Sequence, residues 1–381
     1  MTDPVEAGRP VEEPEEVRRG RGWAIDTAPL RIPAFRRLFG GVAATMLGQQ
    51  MTLVAVPFQV YELTGSSLLV GVTSIVALVP LIVFGLLGGA IADAMDRRKL
   101  MLITSAGAAG TSALLAVQAL LPGGGNLVLL WVLTACVSGF AAVNQPTRSA
   151  VIPALVGPSG VAEGFAFLRT QPVLLMTFVV DVIAMTFAWP QAVFPELSQT
   201  RFAESPNSLG WLFAGISIGA LVMGLSSGWV TRVDRQGAVV LAAIVAWGIA
   251  IIGFGFAPAL WVAVACLAVA GAADMVSAVL RTSMLQLAAP EEMRGRMQGV
   301  FIVVVAGGPR LGDLRAGAVA TAASVTVAMV SGGLVIVVAM IVVALLVPSF
   351  WLFRASRSAA ETRPASPAPE SGEDRPGTSA A

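Results

Sequence analysis

The sequence predicts an all-α polytopic membrane protein with about ten transmembrane helices. Composition, the length of the apolar runs and the charges between them carry this reading. Of 381 residues, 56% are apolar and 12% charged, where a soluble domain carries roughly 25% charged residues. Apolar runs of about 20 residues, the length a helix needs to cross a bilayer, recur along the chain. Lipid offers backbone groups no hydrogen-bond partner, so such runs are helices. The strict alternation of a membrane barrel strand is missing.

The elements follow in order. Residues 1–33 are polar, mixed in charge and rich in proline, and read as a disordered tail. No apolar stretch follows the first charges closely, so no cleavable leader is expected. Ten spans are expected near 38–61, 68–92, 100–121, 127–152, 172–195, 208–230, 237–257, 260–287, 297–322 and 325–348. Residues 354–381 form a second low-complexity tail.

The loops orient the bundle. One set carries Arg31, Arg36 and Arg37; Arg97, Arg98 and Lys99; Arg169; Arg232 and Arg235; Arg294 and Arg296; Arg354 and Arg357. The alternate loops carry ELTGSS, PGGGN, a segment whose one base is Arg201, then APA and AAS. Lysine and arginine stay on the cytoplasmic side. Both termini are therefore expected in the cytoplasm of a multi-pass protein of the cytoplasmic (inner) membrane.

Inside this frame the chain repeats itself. LWVLTAC at Leu130–Cys136 returns as LWVAVAC at Leu260–Cys266. Gly71 and Gly89 are spaced as Gly210 and Gly228 are, and Pro57 matches Pro190 near the outer end of spans one and five. Asn144 falls at the offset of Asp274. The second half runs on through PEEMRGR into two more helices. The first half passes directly from IPALVGPSG into the run leading to span five. The reading is an N-terminal four-helix half (34–156), a short cytoplasmic connector (157–171) and a C-terminal six-helix half (172–353). Such repeats build secondary transporters, with the site between the halves.

The turn after span two reads GGAIADAMDRRKL. It resembles the signature loop of the major facilitator superfamily, Gly-x-x-x-Asp-Arg-x-Gly-x-Arg-Arg, with Gly89, Asp93, Arg98 and Lys99 matching. Ala94 replaces the usual arginine, and Asp96 the second glycine. AGAADMVSAVLR (270–281) and GGPRLGDLRAG (307–317) resemble the branch holding macrolide-efflux proteins and the enterobactin exporter. The resemblance covers roughly residues 34–354. It implies a two-half helical bundle of twelve helices, so this chain would lack the family's fifth and sixth. It also implies a gating latch formed by Asp93 with a neighbouring arginine. Arg148, at the cytoplasmic end of span four, is the partner the sequence offers. Arg97, Arg98 and Lys99 are better accounted for by topology than by contact with a substrate.

Three acids lie inside spans, where a charge is costly and points to function. Asp181 is about nine residues into span five and Asp274 about fourteen into span eight, which places both near mid-bilayer. Asp313 is the third. Histidine is absent, so these acids are the candidates for proton coupling. Interhelical hydrogen bonds compete for Asp181 and Asp274, and an ion pair with Arg310 or Arg315 for Asp313. The run Gly307-Gly308-Pro309 predicts a broken or kinked span nine, with Arg310 beyond it suited to an anionic group. Gln49, Gln50, Gln59 and Tyr61 of span one, with Asn144, are cavity candidates, or else interhelical hydrogen-bonding groups. The glycine stripes Gly85, Gly88, Gly89 and Gly219, Gly224, Gly228 read as packing surfaces.

No nucleotide loop, nucleophile elbow or metal constellation occurs. No enzyme, metal, cofactor or nucleic-acid partner is expected. The expected partners are the lipid bilayer, a small-molecule substrate and protons; nothing in the sequence sets an oligomeric state. The leading reading is a proton-coupled exporter of a siderophore or amphipathic drug. Its alternative is a degenerate or truncated, non-transporting paralogue. An ion channel finds no filter motif or charge ring in support. Cys136 and Cys266 occupy repeat-equivalent positions and read as small core residues.

Overall fold

The computed structural model describes residues 33–121, 125–148, 168–226, 228, 233–288 and 291–354. The side chains of 85–94, 97–98, 144–148 and 286–303, with part of 33–44, lie outside the described set. Most of both tails and residues 157–167 of the expected connector also lie outside it.

Helices fall on all ten expected spans. They are α1 (Pro33–Thr64), α2 (Ser67–Ala94), α3 (Arg97–Ala119), α4 (Leu127–Arg148), α5 (Pro172–Ala188), α7 (Ser208–Leu225), α8 (Gln236–Phe256), α9 (Leu260–Ala288), α10 (Glu291–Ala322) and α11 (Val325–Leu346). Two short helices, α6 (Phe194–Gln199) and α12 (Pro348–Trp351), complete the set, and a 3₁₀ turn (Gln191–Val193) joins α5 to α6. Seven of the described helical segments are long and apolar enough to cross a bilayer. Large apolar side chains face outward on these helices. Leu345 and Leu346 are 74% and 76% exposed, an arrangement that suits lipid and would be costly in water.

Helix starts follow local chemistry. Asn126 Oδ1 accepts from the backbone N–H of Val128 (2.8 Å) and Leu129 (3.2 Å) at the head of α4. Ser324 Oγ accepts from Val327 N–H (3.1 Å) at α11. Asp96, where the signature loop has glycine, accepts from Lys99 N–H (3.3 Å) at the start of α3. The departure from the motif therefore supplies a helix cap.

Among the described residues, those up to Met51 form one unit and those from Thr52 another. In the first, Thr45 Oγ1 donates to Gly41 O (2.8 Å). In the second, one apolar cluster joins Val56, Val60, Val70, Leu115, Leu130 and Leu133 of α1–α4 with Ala192. A larger one runs from Val180 to Phe350 across α5–α12.

Glycine decides how closely the second cluster packs. At Gly219 of α7 an added Cβ would collide with the Ala268 carbonyl of α9, and at Gly271 of α9 with the Ile216 carbonyl of α7. The two helices thus touch backbone to backbone through small residues, the usual means of close helix approach in lipid. Gly219→Ala and Gly271→Ala should each cost about 1–3 kcal/mol, read as a lower unfolding temperature in detergent. Gly307→Ala, where a Cβ meets nothing within 4 Å, should leave that temperature unchanged. Gly224 comes within 3.4 Å of the Met275 methyl by the same measure, so it too belongs to packing. Gly85, Gly88 and Gly89 lie in α2 with their surroundings outside the described set.

The expected break at Gly307-Gly308-Pro309 is not found. α10 runs as one helix from Glu291 to Ala322 with Pro309 inside it. A proline removes one backbone donor, which a packed membrane helix tolerates. Gly308, with Gly312 one turn on, serves close approach instead. A Cβ on Gly308 would meet Met185 Cβ at 2.9 Å, and one on Gly312 would collide with the Met185 carbonyl of α5. Pro57 likewise sits inside unbroken α1, whereas Pro190 marks the real interruption between α5 and α6.

Candidate functional site

Three helices of the second cluster line a narrow cleft of about 10 Å³, about the room one water needs. α9 presents Asp274, Ser277 and Arg281, spaced by three and four residues so that they share one face. α5 presents Asp181, with Ala184 and Met185 one turn on. α8 closes the cleft with Ala243, Ile244 and Trp247. Trp189 stacks on Trp247 at 5.9 Å between centroids.

Asp181 is not a free carboxylate. Its Oδ1 lies 2.6 Å from Arg281 Nη1, and both side chains are buried, at 4% and 6% exposure. Arg281 Nε also donates to Ser277 Oγ (3.1 Å). Asp274 lies within electrostatic reach of Arg281 and Asp181 but makes neither an ion pair nor a hydrogen bond with a described residue. The Trp247 indole N–H is buried with no partner among the described residues.

Asp313 occupies a different place, the crossing of α10 with α2. Its carboxylate accepts from Ser74 Oγ (2.6 Å) and from the Ala192 backbone N–H (3.0 Å) of the 3₁₀ turn. Gly71 brings α2 against the Asp313 backbone, where a Cβ would meet the carbonyl at 2.5 Å. Further along the seam, Ser67 Oγ donates to Glu196 Oε2 (2.5 Å) and Leu68 N–H to Thr321 Oγ1 (3.0 Å). The alternative of an ion pair with Arg310 or Arg315 is not found. Arg315 instead donates to Phe187 O (2.8 Å), Ala328 O (2.6 Å) and Ser331 Oγ (2.5 Å), binding α10 to α5 and α11. Arg310 is part-buried and acts on Asp313 through its charge alone.

Gln49 and Gln50 are exposed and belong to the first unit; Gln59 and Tyr61 are part-buried in the second. Asn144, Gly89, Asp93, Arg97, Arg98 and Arg148 lie on α4, α2 and α3 with side chains outside the described set, and Lys99 is exposed. The expected contact between Asp93 and Arg148 therefore lies outside the described residues.

Arg281 in its paired role, Ser74, Glu196 and Arg201 were not legible as site or clamp residues. Arg281 carried a signal, since a base seven residues after Asp274 shares its helix face. Arg201, the one base of the segment between α6 and α7, donates to Gly255 O (2.9 Å) and Thr326 Oγ1 (2.8 Å), tying α8 to α11.

Apolar helices packed through glycine around buried, paired charges define a polytopic membrane protein of the transporter class. The chain belongs to the major facilitator superfamily: the family model described as transmembrane secretion effector matches residues 24–169 and 159–369. This is a family of transporters, not of enzymes. The chain is 24% identical to the multidrug efflux pump Tap of Mycolicibacterium fortuitum over 372 residues, covering 77% of this chain and 89% of Tap. It is 24% identical over 361 residues to the enterobactin exporter EntS of Shigella dysenteriae serotype 1 and to that of Escherichia coli O1:K1, covering 77% of this chain and 86% of each.

Proposed function

We propose that this chain is a proton-driven exporter that moves a siderophore or an amphipathic drug out across the cytoplasmic membrane, with both termini inside. The observation that carries the reading is the buried cleft of Asp181, Asp274 and Arg281 inside a chain of this family. Charges at that depth are retained where they bind an ion or a substrate. The likeness to Tap and EntS supports export as the direction and suggests the cargo class. Asp274 and Asp313 are the acids through which protons would act. Arg310, Gln49, Gln50, Gln59 and Asn144 are the candidates to meet cargo. Asp93, Arg148 and the basic turn Arg97-Arg98-Lys99, with Gly89, would form the inner gate.

A second reading, a truncated paralogue that does not transport, has its own support. The alignment with Tap spans 372 positions, but 77% of 381 residues is about 293, so about 79 positions of the alignment meet no residue of this chain. The family model also matches in two pieces that meet at 159–169, beside the expected gap after Val156. Unmatched positions of that total number are as many as a helix pair with its loop would need. It would leave a four-helix half (34–156), a connector (157–171) and a six-helix half (172–353).

Reconstituted vesicles decide between them. With a pH gradient, and with enterobactin and ethidium as separate probes, wild type should move at least one probe. A protonophore should abolish the movement. No movement of either probe supports the truncated reading. Movement that survives both Asp181→Asn and Asp274→Asn would keep transport and remove these acids from it.

A further inference from the structure

We infer that Arg281 is a positioning residue that restricts the cleft to one exchangeable proton, held by Asp274. This deepens the proton-driven reading and rests on it for its purpose. The cleft holds two carboxylates and one guanidinium, and arginine keeps its charge in proteins. α8 adds Ala243, Ile244 and Trp247, and α5 beyond Asp181 adds Ala184 and Met185, so among the described residues no other titratable group lines the cleft.

Arg281 commits its charge to Asp181 through the 2.6 Å contact. Ser277 fixes the direction of the guanidinium from the other side. With Asp181 and Arg281 cancelling, the remaining charge of the cleft is that of Asp274. An uncompensated charge in a low-dielectric interior is costly, and binding one proton removes it. The proton adds to Asp274 and leaves from Asp274; no bond at Asp181 changes. The two acids that look alike in the sequence thus have different tasks: Asp181 holds the arginine, and Asp274 exchanges the proton.

The full chain in lipid can be followed by infrared difference spectroscopy across a pH step, which reports protonated carboxyl groups whether or not any cargo moves. Wild type should show the band, and Asp274→Asn should lose the intensity of one carboxyl per chain. Arg281→Gln frees Asp181 of its partner and should gain the intensity of one further carboxyl, because two carboxylates in one site cannot both stay charged. Arg281→Lys, which keeps the charge, should return to the wild-type intensity. If Arg281→Gln does not fold, the paired variant Asp181→Asn/Arg281→Gln, which removes both charges, should still show the wild-type intensity. Full intensity in Asp274→Asn, or its loss in a folded paired variant, overturns the inference. So does an unchanged band in folded Arg281→Gln. Vesicles that fail to export while these spectra behave as stated would count against the transport reading alone.

Discussion

Arg281→Gln should lower the stability of the purified protein by about 3–5 kcal/mol, the cost of stranding one partner of a buried ion pair. Asp181 is 4% exposed on its side chain and meets Arg281 Nη1 at 2.6 Å, so after the substitution its charge has no cation in contact. Asp181→Asn should cost a similar amount by stranding the guanidinium. The pair Asp181→Asn/Arg281→Gln should recover most of the loss, because the expense of a buried pair lies in removing both charges from water and is not incurred by two neutral groups. Thermal unfolding in detergent, monitored by loss of the monodisperse protein, gives the ordering wild type, paired variant, then the two single variants. A single Arg281→Gln variant as stable as wild type would show that the contact contributes nothing.

The bundle was legible where one local property decided it. Run length and apolarity place α8 at Gln236–Phe256 within a residue of expectation, because lipid forces every such run into a helix. The acids at depth were also visible, since Asp181, Asp274 and Asp313 stand out in apolar surroundings. What they touch was not. Asp313 looks to be paired with Arg310 or Arg315 on its own helix, but its acceptors face Ser74 and Ala192, 239 and 121 residues away in the chain. Contacts at that separation depend on how α2, α5 and α10 cross, which a helical period does not encode. Gly307-Gly308-Pro309 misled for a related reason. Gly308 would loosen an isolated helix, yet with Gly312 it lets α10 lie against Met185, and α10 continues through Pro309.

Asp313→Ala should loosen the crossing of α2 with α10 more than any other substitution along that seam. It strands the Ala192 N–H, which is 3.0 Å from the carboxylate, and a buried donor without an acceptor costs about 1–3 kcal/mol. In an equilibrium between a closed and an open seam, that is about a 5–150-fold change. Ser74 loses its partner as well, but a helical serine hydroxyl can turn to a carbonyl of its own helix, so its share is smaller. The two losses are linked. Ser74→Ala alone should cost about 1 kcal/mol, and in the Asp313→Ala background it should cost almost nothing. Asp313→Asn, which keeps one acceptor oxygen, should fall between wild type and Asp313→Ala. A double-mutant cycle on thermal unfolding measures the coupling, and strictly additive effects of Ser74→Ala and Asp313→Ala would remove the carboxylate as the tie between the helices. With coupling present, a proton arriving at Asp313 weakens both bonds at once, since the neutral acid accepts less strongly than the carboxylate.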